Sequence, residues 1–253
     1  MAVAYKAPVK DIVFGYEVID SYNVLNKIAA FSDFSEDIVV PTMEECAKFS
    51  EEVLAPINAI GDQQGATIDN GLVTMPEEFV DAYKKFSDAG WASISLPEDI
   101  GGGGMPITLS GGTLEILSTA NLAFGLAPGL SAGAISAINF HGSQEQKDKF
   151  LPKLVSGEWT GTMNLSEPQS GSDLGTITTK AEPQEDGTYK VTGTKVWITF
   201  GEHNMTENIV HLVLAKVPGS PEGTKGISMF IVPKFIINDD GSLGENNNVS
   251  CIS

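Results

Sequence analysis

Apolar residues recur at three- and four-residue intervals through the first 157 positions and at two-residue intervals after that, which predicts a helical part followed by a β part. From position 41, Met43, Cys46, Ala47, Val53, Leu54 and Ile57 return near the helical period with Glu and Lys between them. That pattern predicts an amphipathic helix with Pro41 in its first turn. Thr74 followed three residues later by Glu77 has the form of a capping box, and Phe79, Tyr83 and Phe86 continue one face until Gly90. Gly101 to Gly104 predict a loop, and no Gly-Lys-Ser/Thr follows to make it a phosphate loop. Residues 107–126 and 129–140 are apolar on nearly every side and rich in Gly, Ala and Ser, so two buried, closely packed helices are expected. Ser143 to Gln146 is a second capping pattern, and Pro152 and Gly157 are expected to end the helical succession.

Six later runs predict strands over 160–164, 176–181, 188–192, 195–200, 208–216 and 226–232, with Glu185-Asp186-Gly187 as a hairpin turn. Residues 1–34 carry Ile12, Val13, Phe14, Tyr16 and Val18, apolar enough to pack on the rest of the chain. The expected organisation is an amino-terminal extension over 1–34, a helical domain over 35–157 and a middle β domain over 158–253.

Charge narrows the partners. Fifteen Lys, no Arg and thirty-three Asp plus Glu give a formal charge of −18, which repels a polyanion and argues against nucleic acid. Without arginine forks, any phosphate must be gripped by Lys, hydroxyls, backbone amides or a second chain. No run of eighteen uninterrupted apolar residues occurs and the start lacks a basic-then-apolar signal, so a soluble cytoplasmic protein without a membrane span is expected. Cys46 and Cys251 lie far apart, and His141, His203 and His211 share no ligand spacing. Neither a disulfide framework nor a metal site is expected.

Candidate chemistry concentrates in Met163 to Asp173 and Gly193 to Gly201. Ser166 and Ser172 bracket Pro168 and Gly171, whose backbone constraints suit a turn that offers N–H and O–H groups to an anion or a ring edge. A strand over 195–200 would put Trp197 and Thr199 on one face, where the ring could cover a planar heterocycle and the hydroxyl could donate to it. Glu167 and Asp173 are tempting as acid and base, but a carboxylate in such a turn more often anchors the loop.

In this order and spacing the two segments resemble the acyl-CoA dehydrogenase family. Leu96 to Gly104, His141 to Lys147 and Leu151 to Glu158 extend the resemblance. Tyr5 to Ile12, Met163-Asn164-Leu165 and Gly201-Glu202-His203-Asn204 are similar to its long-form branch, which includes the 3-methylmercaptopropionyl-CoA dehydrogenases. The resemblance implies an α+β multidomain fold: an all-α amino-terminal domain, then an incomplete middle β-barrel or sheet domain, with the carboxy-terminal helical bundle absent. It also implies FAD as cofactor, an acyl-CoA thioester as substrate and a trans-2-enoyl-CoA as product. The acyl group would be a short thioether or a straight fatty chain. Electron-transferring flavoprotein is the implied electron acceptor, and a homodimer the implied assembly at full length.

Carried over by motif, Ser166 would face the pyrimidine edge of the flavin, Thr199 would donate near its reactive nitrogen, and Trp197 would flank the ring. Gly171 would allow close backbone approach, and Ser172 would face the pyrophosphate or the CoA. Glu167 and Asp173 are framework in the resemblance. The family's catalytic glutamate lies in the carboxy-terminal bundle, so the base is expected beyond Ser253, no residue of this chain is assigned to catalysis, and the chain alone is expected to be inactive. Two other readings stand beside this one: a non-catalytic subunit that binds flavin or acyl-CoA and is completed by another chain, and an acyl-CoA oxidase, which differs in letting oxygen reach the reduced flavin.

Overall fold

Periodic apolar faces account for the helices of the amino-terminal half. The computed structural model describes residues 4–252; residues 1–3 of the expected extension and Ser253 lie outside them. Helices α1 (Val9–Val18), α2 (Ser21–Leu25), α3 (Glu36–Phe49), α4 (Ala55–Gln64), α5 (Glu77–Asp88), α6 (Ile107–Ala120), α7 (Leu122–His141) and α8 (Gln144–Val155) are interrupted by one hairpin. Met43, Cys46, Leu54, Ile57, Phe79, Tyr83 and Phe86 are all buried, as their spacing predicts, and Phe86 meets Phe124 edge-on at 5.6 Å. Within the extension, Tyr16 is buried and donates to the carbonyl of Thr108 at 2.5 Å, whereas Phe14, Val18 and Ile19 are exposed.

Several boundaries differ from expectation. The helix expected from Pro41 begins at Glu36, so Pro41 lies inside α3, which forgoes the bond its missing N–H would make to the carbonyl of Asp37. One π-helical turn, Ser50–Leu54, then leads into α4. The Thr74/Glu77 capping box does not form. Thr74 belongs instead to a hairpin of β1 (Thr67–Asp69) and β2 (Leu72–Thr74), and α5 starts after Pro76 without a side-chain cap. Asn70 at φ 48° and Gly71 at φ 81° supply the left-handed pair that such a two-residue turn needs, and this Asn-Gly signal is legible in the sequence. The second box does form: Ser143 N donates to Gln146 Oε1 at 2.9 Å, and Gln146 N to Ser143 Oγ at 3.2 Å. Helix α8 continues through Pro152 to Val155.

The break between α6 and α7 falls at Asn121 because that residue caps α7, its Oδ1 accepting from Phe124 N at 3.0 Å. These two helices are not buried all round, since Ile107, Leu114, Leu122, Leu126 and Phe140 are exposed. Helix α7 is long and apolar enough, by length and composition, to cross a membrane. The glycine run has a packing cause: Gly103 N and Gly104 N donate to Ser93 O and Leu96 O at 2.9 Å each, and a Cβ on Gly102 would lie 2.1 Å from Leu96 O. Those amides are taken by the chain itself.

By its internal contacts the chain divides into two compact units, Met1–Pro128 with Val155–Gly157, and Gly129–Leu154 with Glu158–Ser253. The second unit holds the main sheet. Its central strand β6 (Asn208–Lys216) pairs in parallel with β3 (Trp159–Asn164) and, at its last residue, with β4 (Lys180–Pro183). Strand β7 (Ile227–Pro233) lies antiparallel on the other side of β6, and β5 (Tyr189–Thr192) pairs with β4 across the expected hairpin. A small ribbon, β8 (Phe235–Ile237) with β9 (Leu243–Asn246), follows. The fold is thus a helical domain followed by a β-sheet domain. Two expected strands fail: 176–181 is extended only from Lys180, and 195–200 is not a strand.

The middle of α7 packs on β3 where Gly161 leaves room. Gly161 N donates to Ser131 Oγ at 3.0 Å, and a Cβ at Gly161 would lie 2.4 Å from the Cβ of Ala134. Gly161→Val should therefore cost about 1–3 kcal/mol by overpacking, measured as a lower urea midpoint at unchanged slope. An unchanged midpoint would contradict this packing.

Candidate functional site

The turn after β3 is closed by its own backbone. Glu167 N donates to Ser170 O at 2.7 Å and Ser170 N to Glu167 O at 2.9 Å, around Pro168 and Gln169. Ser170 Oγ then donates to Asp173 O at 2.7 Å, and Asp173 Oδ1 accepts from Gly175 N at 2.9 Å. Asp173 is thereby a cap for the 3₁₀ turn Leu174–Thr176, which occupies the start of the strand expected at 176.

The Glu167 carboxylate sits in the middle. Its Oε1 accepts from Thr179 N at 3.1 Å, Thr179 Oγ1 at 2.5 Å and Lys195 Nζ at 2.8 Å. Its Oε2 accepts from Thr178 N at 2.7 Å, Thr178 Oγ1 at 2.9 Å and Gln169 Nε2 at 2.6 Å. The side chains of Glu167 and Lys195 are 1% and 7% exposed. Burial alone would raise the Glu167 pKa, but Lys195 and the Thr178 and Thr179 donors hold it well below the usual carboxylate range. A carboxylate so held is a poor proton acceptor near neutrality. The amides of Thr178 and Thr179 go to this carboxylate rather than to a neighbouring strand, which is why the ladder begins only at Lys180.

Lys195 carries the link to the second segment. Its ammonium also donates to Leu165 O at 3.0 Å, and Val196 N donates to Ser166 O at 3.0 Å, so 195–196 runs beside 165–166. Past Val196 the chain turns. Trp197 takes φ 60° and Phe200 φ 51°, and Gly201 N donates to Ile198 O at 3.0 Å. The alternation that was to set Trp197 and Thr199 on one strand face is therefore absent. Left-handed backbone on a non-glycine residue costs on the order of 1–3 kcal/mol and persists where the surroundings over-determine it. Trp197 is 92% exposed.

The structure thus brings Ser166 and the Trp197–Thr199 segment side by side through direct bonds. Ser166 and Thr199 are half-buried, and their hydroxyls have no hydrogen-bond partner among the described residues. Gly171 and Ser172 are exposed and connect to this pair only along the 167–173 turn; nothing lies within 4 Å of a Cβ built on Gly171. An exposed planar ring, two unpartnered hydroxyls and an open backbone edge fit a planar heterocycle with a polar rim. Sequence reasoning missed Lys195, Thr178 and Thr179 as the groups that satisfy Glu167. The only available signal was a buried-type Glu-Pro turn in a chain with few cations.

Behind the segment lies a buried polar layer. His203 Nδ1 accepts from Met205 N at 3.1 Å, so its Nε2 carries the proton toward Thr160 Oγ1 at 2.9 Å. Thr162 Oγ1 donates to Asn164 Oδ1 at 2.6 Å and meets His211 Nδ1 at 2.7 Å. Burial, with Lys234 nearby, lowers His203 and His211 from the usual 6.5 to about 4. Both imidazoles are neutral in the native state and become protonated near pH 6.5 when unfolded. Their contribution is therefore complete above pH 6.5 and lost as pH falls toward 4, up to about 3 kcal/mol each. The urea midpoint should hold between pH 8 and 7 and fall steadily from 6.5 to 4; a flat midpoint down to pH 4.5 would contradict the buried neutral pair.

Both halves of the chain match families of known proteins. Residues 41–158 match the acyl-CoA dehydrogenase N-terminal domain and residues 162–244 the acyl-CoA dehydrogenase middle domain. A 3-methylmercaptopropionyl-CoA dehydrogenase of Ruegeria pomeroyi is 44% identical over 99% of this chain, which spans 43% of that protein. A butyryl-CoA dehydrogenase of Syntrophomonas wolfei is 37% identical over 97% of the chain, which spans 41% of it. The crystal structure of an acyl-CoA dehydrogenase complexed with FAD from Bacillus anthracis superposes with a TM-score of 0.64 at 28% identity, over 80% of this chain and 32% of its own. The chain therefore spans less than half the length of these relatives. Its two halves, its fold and its sequence agree: the chain belongs to the acyl-CoA dehydrogenase family, of which it comprises the amino-terminal and middle domains.

Proposed function

We propose that this chain provides the flavin-holding part of an FAD-dependent enzyme that oxidises an acyl-CoA thioester to a trans-2-enoyl-CoA. The observation that carries the reading is the Val196–Ser166 bond, which sets two unpartnered hydroxyls and the exposed Trp197 ring in adjoining segments. Ser166 would donate to the pyrimidine edge of the flavin, and Thr199 would donate near its reactive nitrogen. Trp197 would lie against the ring. Gly171 and Ser172 would offer backbone and hydroxyl to the pyrophosphate or the CoA, a role that suits a chain without arginine. When bound, FAD supplies the hydride-accepting chemistry.

The proton acceptor is assigned outside these residues. Glu167 is saturated by donors and held ionised, and Asp173 caps a turn, so neither is free to take the α-proton. Similarity to a 3-methylmercaptopropionyl-CoA dehydrogenase and a butyryl-CoA dehydrogenase supports a short thioether or straight-chain acyl group as substrate. By family resemblance an electron-transferring flavoprotein would be the acceptor and a homodimer the assembly of the whole enzyme.

The test is an anaerobic titration of the chain with FAD, followed by a panel of acyl-CoAs. Tight binding is expected, weakened about three- to tenfold by Ser166→Ala and by Thr199→Ala. Acyl-CoA should leave the flavin band unbleached here and bleach it in a longer polypeptide that carries a carboxy-terminal bundle after residue 253. Failure to bind FAD would overturn the reading, and bleaching by this chain alone would move the base inside it.

A further inference from the structure

Gly201-Glu202-His203-Asn204 has no role in the flavin reading, yet it follows directly on the segment that reading uses. Glu202 is 4% exposed at its side chain and pairs with Lys234, 9% exposed, at 2.5 Å. The same Oε1 accepts from His203 N at 3.1 Å. Lys234 itself is fixed between β7 and β8: its N donates to Ile209 O at 2.8 Å, and its carbonyl accepts from Asn247 N at 2.8 Å. His203 reaches β3 through Thr160, and its ring meets the Phe200 ring edge-on at 5.9 Å. The residues between the two buried ion pairs, Lys195–Glu167 before and Glu202–Lys234 after, include both left-handed non-glycine residues of this region, Trp197 and Phe200.

We propose that Glu202 and His203 are positioning residues that clamp the far end of the Trp197–Thr199 segment to the sheet, as Lys195 clamps its near end. The proposal deepens the flavin reading and rests on it for its functional consequence. A segment with two residues in a sparsely populated conformation relaxes unless both ends are fixed, because one anchored end leaves the turn free to open. The near anchor ties 195–196 to the turn at Ser166. The far anchor ties 202–203 to Thr160 on β3 and to Lys234 at the end of β7. Charged and titratable groups that face His203 are Lys234, Glu202 and His211, so the clamp is a polar network rather than a lone ring.

The experiment reads the segment without the cofactor. Chymotrypsin cuts after aromatic residues, and native-state cutting after Trp197 and Phe200 reports local opening. Glu202→Leu with Lys234→Met replaces the ion pair by apolar groups of similar size, which can leave global stability near that of the parent. This double variant should keep its Tm, be cut at these two sites about tenfold faster, and bind FAD about tenfold more weakly. Glu202→Gln, which still accepts from His203 N and Lys234, should restore both to within about threefold. A double variant cut at the parent rate overturns the proposal, whatever its FAD affinity. Should it not fold, Thr160→Val removes the hydroxyl beside His203 and should raise cutting about threefold; an unchanged rate overturns the proposal equally. Faster cutting in a chain whose parent binds no FAD would sustain the clamp and sink the flavin reading instead.

Discussion

One buried carboxylate organises the middle domain's outward face. Glu167 draws donors from its own turn, from Thr178 and Thr179, and from Lys195, segments that lie far apart along the chain. A carboxylate removed from water is tolerable only when its oxygens are satisfied, so these segments must converge on it if the domain is to fold at all. The Lys195–Glu167 pair need not add net stability over an apolar substitute. Its consequence is geometric: Lys195, Thr178, Thr179 and the 167–170 turn are held at one carboxylate.

The same demand decides which groups remain free. Glu167 and Asp173, the acidic residues nearest the candidate site, are consumed in holding backbone. Ser166 and Thr199 are not, and the Trp197 ring projects outward from a strained backbone. Framework groups and candidate binding groups are thus interleaved between residues 166 and 199. Burial accounts for Glu167, whose oxygens are all taken, whereas Asp173 is exposed and holds its own turn, and the half-buried Ser166 and Thr199 hydroxyls have no partner among the described residues. The buried His203 and His211 belong to the framework, and their neutrality follows from burial with Lys234 nearby.

Much of the fold was legible because it obeys a local period. The buried faces of α3, α4 and α5, the Ser143 capping box and the Glu185-Asp186-Gly187 hairpin follow from spacing and turn chemistry alone. The misreadings share a physical cause. Residues 195–200 alternate like a strand, but Val196 gives its N–H to Ser166 and the chain then turns left-handed at Trp197, a choice made by partners thirty residues away. Thr178 and Thr179 look like strand residues, and their amides are captured by Glu167. Asn121 moved a helix boundary by capping, and Asn70-Gly71 formed a hairpin whose signal was present and went unused. The candidate site residues were nominated by the resemblance of two motifs; the ion pairs beside them were not legible, because neither partner announces the other in sequence.

The most direct test of the central claim is amide hydrogen exchange in Glu167→Gln against the parent chain. Val196 N does not touch Glu167; it closes the contact between the Ser166 turn and the Trp197 segment. If the carboxylate holds those segments together, the Val196 amide should lose at least about tenfold in protection in the variant while Leu212, deep in β6, changes far less. Protection at Val196 equal to the parent's, with losses confined to Thr178 and Thr179, would show that the two segments meet without Glu167 and would contradict the claim.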